Sequence, residues 1–428
     1  MRDKCAGCIH MVLLPILLLF QVVTHHPAAH AAQPATPNQA KTGVAQRPSS
    51  GKAALPAASL PLKIPVDRST QSDVSGGVLV QSSVSSIEAR QLASGRSLWT
   101  VSIPELLPRR FADTAKATVR WVYSPVVVSN SVFAGVNVGT AGYLMRIDLQ
   151  TGSLRWLCRM ADLQSKSSDQ RHSDILSKPT VWRDRIVLRA GSDLVALKIA
   201  DGNLLWSRLF AAPDGASYTP FADPAVSDNA VYFNADFGIA YAIDPRDGHE
   251  LWRKVTDAYE LSGSLNVYNL HITQANCSPI LASGRLFVTD GLRNVYALDP
   301  RSGQQLWKSK VAFTYRFQNG NGKLYAATFT GFFELDPATG AVLRQCFPTK
   351  PVLEAVVDHN KAFLLDVSGR LTQFDLKNWT TVAQVTGIDA HMRPMLIKGG
   401  VLAARSGANQ LDRETLEAIS FPEKLPAH

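Results

Sequence analysis

One twelve-residue pattern governs this chain. It reads Tyr241-Ala242-Ile243-Asp244-Pro245-Arg246-Asp247-Gly248-His249-Glu250-Leu251-Trp252, and it returns as Tyr296-Ala297-Leu298-Asp299-Pro300-Arg301-Ser302-Gly303-Gln304-Gln305-Leu306-Trp307. Three more copies end at Trp99, Trp156 and Trp206. A sixth, ELDPATGAVLR, keeps Asp336, Thr339 and Gly340 but has Arg344 where the others have Trp. Two degenerate copies follow, marked by Asp375 and by Asp412 with Thr415. Measured at the turn, the copies fall at 95, 152, 202, 248, 303, 340, 378 and 415, with spacings from 37 to 57 residues. Eight copies at that period indicate a propeller or a solenoid.

The copies also begin alike, as in Ser124-Pro125-Val126, Asp223-Pro224-Ala225 and Ser278-Pro279-Ile280, each followed by a Gly or Asn turn and a second apolar run. That makes four strands per copy, and the runs are short and continuously apolar. A sheet buried on both faces has that pattern, whereas a sheet with one wet face alternates. The expectation is therefore all-β, an eight-bladed β-propeller of four-stranded antiparallel blades over residues 63–428. Asp148, Asp244, Asp299 and Asp336 would cap tight turns, and Gly152, Gly202, Gly248, Gly303 and Gly340 would supply the positive φ. The indoles of Trp99, Trp156, Trp206, Trp252 and Trp307 would fill the gaps between blades, with Ala89, Ala196, Ala242 and Ala297 leaving room for them.

These residues resemble the pyrroloquinoline-quinone-like propeller repeat family, whose motif is A-x-D-x-x-T-G-x-x-x-W, and the resemblance covers about residues 64 to 420. It implies the propeller fold. The family includes quinone-dependent dehydrogenases and the non-catalytic BamB-like assembly factors of the outer membrane. The large dehydrogenases use an adjacent Cys-Cys pair beside the quinone, Ca²⁺ ligands and a catalytic Asp on a longer chain. Here no two cysteines adjoin. The resemblance thus implies a non-catalytic scaffold for envelope or outer-membrane proteins, a monomer within a complex, with no cofactor. The alternatives are a quinone-dependent alcohol or sugar dehydrogenase and a glycan-binding module. The lipid-anchor cysteine of the BamB-like members is missing.

The N-terminus points to export. Arg2 and Lys4 precede the apolar stretch Met11 to Val23, and Ala29-His30-Ala31 follows as a small-residue cleavage site. Thirteen apolar residues suit a signal peptide and fall short of the roughly 17 to 25 that a membrane helix needs. Residues 1–31 are read as the signal and 32–62, rich in Ala, Pro, Ser and Gln, as a flexible tether. No later stretch is long and apolar enough to cross a membrane. The destination is the periplasm or cell envelope.

The formal charge of +9 becomes +8 once Arg2, Lys4 and Asp3 leave. The basic residues are scattered singly, so a solvated surface is expected and no nucleic acid partner. Cys158, Cys277 and Cys346 remain, leaving open one disulfide with a free thiol or three buried thiols.

No chemistry-bearing motif stands out. The motif aspartates recur at one structural position, so they do not converge on a single site. Gly135 to Gly142 (GVNVGTAG) reads as a strand-to-strand turn and not a phosphate cradle. His172, His249, His271, His359, His391 and His428 lack ligand spacing, and no metal is expected. Function should lie where blades exceed the bare 37 residues, in segments 100–122, 157–177, 207–221 and 253–276. Within them Tyr259, Leu261, Tyr268 and His271, with Arg171, are the candidate partner contacts, since Tyr offers large area at low entropy cost.

Overall fold

The computed structural model describes residues 63–66, 70–107, 119–139, 141–163, 175, 177–191, 193–209, 222–235, 238–257, 277–348, 350–389, 395–397, 400–405 and 414–419. The expected signal and tether lie outside them. Thirty-three short strands are described, and they form eight antiparallel sheets, seven of four strands and one of five. The fifth sheet shows the plan: Ile280–Ala282, Arg285–Thr289, Asn294–Leu298 and Gln305–Lys310 pair in chain order. The motif straddles the last two strands, with Asp299 just after the third and Trp307 on the fourth.

The five-stranded sheet follows the same plan with its first strand broken. Val119–Val122 and Val126–Val128 both pair with one edge of Ser131–Val138. Between them sits Pro125, which has no N–H for the ladder.

The last sheet joins the two ends of the described chain. Lys63–Val66 forms its outermost strand, antiparallel to Glu414–Ile419, and Gln71–Ser75 then opens the first sheet. This corrects the reading of the eighth copy. Thr415 lies within the third strand, facing Pro65 and Arg405, and not at a turn. Because the fourth strand comes from the N-terminal side, the motif turn joining strands three and four has no counterpart here. Asp412 lies outside the described residues.

Apolar clusters fill the seams between successive sheets. One joins sheets one and two through Ile87, Trp99 and Met145, and another joins four and five through Tyr232, Trp252 and Tyr296. Others occupy every seam as far as that between seven and eight. First strands of sheets eight and one also touch, so the series closes on itself. The strand order puts the motif turns on one face. The turns between second and third strands lie on the other, where each fourth strand ends and the first strand of the next sheet begins.

Candidate functional site

Two circular arrangements organise the molecule, and both grow from repeat positions. The outer one is an interlock of indole and turn. Each motif Trp reaches into the next sheet's motif turn and donates its indole N–H to the carbonyl just after the Asp position. Trp99 bonds Leu149 O at 2.7 Å, Trp156 bonds Ile199 O at 2.8 Å and Trp206 bonds Pro245 O at 2.9 Å. Trp252 bonds Pro300 O at 3.1 Å and Trp307 bonds Pro337 O at 3.0 Å. The turn glycines Gly152, Gly202, Gly248, Gly303 and Gly340 lie against these rings. A Cβ on Gly340 would stand 2.5 Å from Trp307. Thus the glycine serves two needs, a φ of +75° and room for the neighbouring indole. Ala89, Ala196, Ala242 and Ala297 sit directly across the ladder from their Trp.

The turns rest on the motif aspartates. Asp148 Oδ1 accepts the N–H groups of Gln150 and Thr151 at 3.0 Å each, and Oδ2 accepts Arg155 at 2.7 Å. The Arg155 guanidinium, with those backbone donors, holds the Asp148 carboxyl down at about 2. Asp299, Asp336 and Asp375 take the same backbone donors and are likewise lowered. Asp244 is buried and bound by Arg246, which lowers it first of all.

Between sheets six and seven the interlock is rebuilt from other residues. Arg344 holds the Trp position and its cross-ladder partner is Glu334, buried at 3% exposure, which it binds in an ion pair. Arg344 also donates to Lys377 O at 3.0 Å in the next turn. The indole comes from the opposite side. The hydrogen bonds of Asp375 set the seventh turn position at Trp379, one residue beyond the Asn378 that spacing alone suggests. Trp379 stands where a Gly belongs, at φ +59°. Its ring stacks on Phe332 at 6.0 Å and lies 4.6 Å under Arg344.

The inner arrangement is a polar collar around the axis. Gln71, Ser124, Lys178, Asp223, Ser278, Arg316 and Glu354 each stand four residues before the hairpin end of their own first strand. Four neighbouring pairs bond to one another. Ser124 Oγ donates to Gln71 Oε1 at 3.3 Å, Lys178 N–H to Asp223 Oδ1 at 2.8 Å, and Asp223 N–H to Ser278 Oγ at 2.8 Å. Arg316 Nη2 donates to Glu354 Oε1 at 2.7 Å. Asp73 accepts Val127 N–H and faces Lys178 Nζ at 3.9 Å, linking sheets one and three. Sequence reasoning missed this collar. Its signal was the residue before proline in Ser124-Pro125, Lys178-Pro179, Asp223-Pro224 and Ser278-Pro279.

The described residues do not fit a quinone with Ca²⁺. The three cysteines are separate: Cys158 and Cys346 are half-buried on fourth strands, and Cys277 is buried before a first strand. Burial pushes their thiols up, to about 11, about 11 and about 12. The collar carboxylates already accept bonds from neighbouring sheets. Asp244, Asp247 and His249 group closely enough for an ion, but Asp244 is engaged by Arg246, and Asp247 by His249 at 2.7 Å. Gly135 to Val138 end one strand, and Ala141 and Gly142 begin the next. No helix of the described residues is long and apolar enough to cross a membrane. Tyr259, Leu261, Tyr268, His271 and Arg171 lie outside the described residues.

An interlock of this kind, repeated around an axis, defines a β-propeller of the pyrroloquinoline-quinone-like repeat class. The family model described as "Outer membrane protein assembly factor BamB" matches residues 80–293 and 292–411, and the chain belongs to that family. Among curated relatives, the outer membrane protein assembly factor BamB of Yersinia pestis is 28% identical over 36% of this chain and 38% of its own length. That of Legionella pneumophila is 24% identical over 44% and 43%. The aligned regions thus span about two fifths of these relatives. BamB from Moraxella catarrhalis superposes with a TM-score of 0.63 at 13% identity, covering 83% of this chain and 98% of that one. A europium-containing methanol dehydrogenase superposes at 0.59 and 14% identity, covering 81% and 84%. At such identities these structures share the fold alone.

Proposed function

We propose that this chain is an exported, non-catalytic scaffold that holds protein partners during the assembly of outer-membrane proteins. Residues 1–31 direct export, 32–62 give the propeller reach, and it works as a monomer within a complex in the cell envelope. The reading rests on family membership, and one structural observation carries it further. The residue just before the Trp position is an exposed leucine in five sheets: Leu98, Leu205, Leu251, Leu306 and Leu343, between 39% and 46% exposed. Each lies on the outermost strand of its sheet, whose free edge offers unpaired N–H and C=O groups. An extended partner chain can add a strand there and bury the leucine, with the links around Tyr259 to His271 contributing contacts.

Photo-crosslinking from position 251 in intact envelopes tests this. Recovery of barrel-assembly components or nascent outer-membrane proteins is the expected result, and failure to capture either overturns the reading. Reconstitution with the quinone and Ca²⁺ should give no dye-linked oxidation of alcohols or sugars. Such oxidation would establish the dehydrogenase alternative instead.

A further inference from the structure

We infer that a cleft between the sixth and seventh sheets receives an aromatic side chain from an acidic, extended segment of a partner protein. The inference deepens the partner-binding reading by assigning it a place and a chemistry. Its cause is a short strand. The fourth strand of sheet six, Val342–Cys346, has five residues, whereas those of the first five sheets have six. The strand stops before Phe347, and Pro348 just beyond cannot donate to a ladder. The seam beyond it stays open as a cleft of about 270 Å³.

Leu364 and Phe374 form an apolar floor. Phe347, the most exposed of the large apolar side chains described at 61%, stands at the rim, and Val367 at 40% exposure lies on the adjoining turn. Apolar cavities of roughly 150 Å³ bind benzene, so this one has room for a single aromatic ring and its adjoining backbone.

Charge selects the neighbours of that ring. Arg370 lines the cleft and Lys350 stands exposed in the adjoining link. Neither has an ion-pair partner among the described residues. Asp366 also lines the cleft, but its Oδ1 is engaged by Ser368 N–H, Ser368 Oγ–H and Arg370 N–H. The lining thus carries one cation without an ion pair, Arg370, with Lys350 two residues past Pro348 in the chain, and carboxylates beside the aromatic residue complement them. Thr381 and Gln384 of the sheet's edge strand complete the wall, within reach of an added strand.

The test is fluorescence anisotropy with a labelled peptide, Glu-Thr-Phe-Thr-Asp, titrated with the folded full chain. Saturable binding is expected, at least tenfold weaker when Phe is replaced by Ala or the acids by Lys. Arg370→Glu and Phe347→Ala should each weaken it tenfold, and Thr381→Trp, which fills the cleft from an exposed position, should abolish it. Circular dichroism melts confirm that each variant is folded. Binding insensitive to these changes, or no saturable binding, overturns the assignment. Envelope crosslinking from position 251 that persists while the peptide fails to bind removes the cleft alone. Loss of both removes the shared reading.

Discussion

The indole of Trp252 lies so close to Gly303 of the next sheet that a Cβ at that glycine would stand 2.6 Å from the ring. The two residues are therefore coupled, though 51 positions apart. Trp252→Ala should cost about 3 to 5 kcal/mol, the range for a large buried aromatic. Gly303→Ala carries both a left-handed φ of +70° and the overlap, together about 2 to 4 kcal/mol. With the indole already removed, only the backbone part remains, about 1 kcal/mol. Urea unfolding of the four proteins, followed by circular dichroism, measures this. An undiminished penalty for Gly303→Ala beside Trp252→Ala would contradict the interlock.

The seam between sheets six and seven substitutes an ion pair for an indole and an alanine, and it should respond differently. Arg344→Ala strands the buried Glu334 carboxylate and should cost about 3 kcal/mol or more. Removing both charges as Glu334→Ala with Arg344→Ala should cost less than the single change, because no orphan charge remains. Thermal denaturation of the three proteins decides it. A double variant less stable than Arg344→Ala would show that the pair acts by packing rather than by charge.

Much of this was legible in the chain because most copies of the interlock reuse one residue type at each position. Trp, Gly and Asp recur visibly, so the strands, the turns and the seams followed from the repeat. Trp379 was hidden because it fills the gap from the turn side, which inverts the roles of the two positions. The strand Lys63–Val66 was ambiguous since its partner lies at the far end of the sequence, and nothing local marks that pairing. The collar escaped because its members differ chemically: Gln71, Ser124, Lys178, Asp223, Ser278, Arg316 and Glu354 share a position and no side-chain type. The cleft lies where the third and fourth strands of sheet six are each short, a difference too small for spacing to report.

Acid should loosen the turns before it affects the seams. Asp148 ordinarily titrates near 3.8 and is held at about 2 when folded. A carboxyl lowered on folding stabilises the protein fully above its unfolded value and loses that contribution as pH falls through the folded value. The window is therefore roughly pH 4 down to 2, with Asp244, Asp299, Asp336 and Asp375 shifted in the same direction. Asp148→Asn should be less stable than wild type at pH 6, and the gap should close as pH approaches 2. Melting followed by tryptophan fluorescence across that range reads it out, and a gap constant with pH would count against the assigned role.

The collar should hold the first strands together through paired charges, and Arg316 with Glu354 is its clearest joint. The pair is largely but not wholly buried, at 22% and 15% side-chain exposure, so solvent screens part of its attraction. Arg316→Met alone should cost about 2 kcal/mol, because Glu354 loses its guanidinium partner at low local dielectric. Arg316→Met combined with Glu354→Leu should recover most of that loss by replacing the pair with apolar volume. The same two variants bear on the axis as a site. A collar that is purely structural leaves envelope crosslinking from position 251 unchanged in any variant that folds, while a collar that contacts a partner loses it even when stability is restored. Comparing unfolding midpoints with crosslinking yields across the pair separates these outcomes. Lost crosslinking in the stable double variant would transfer function from the rim to the axis.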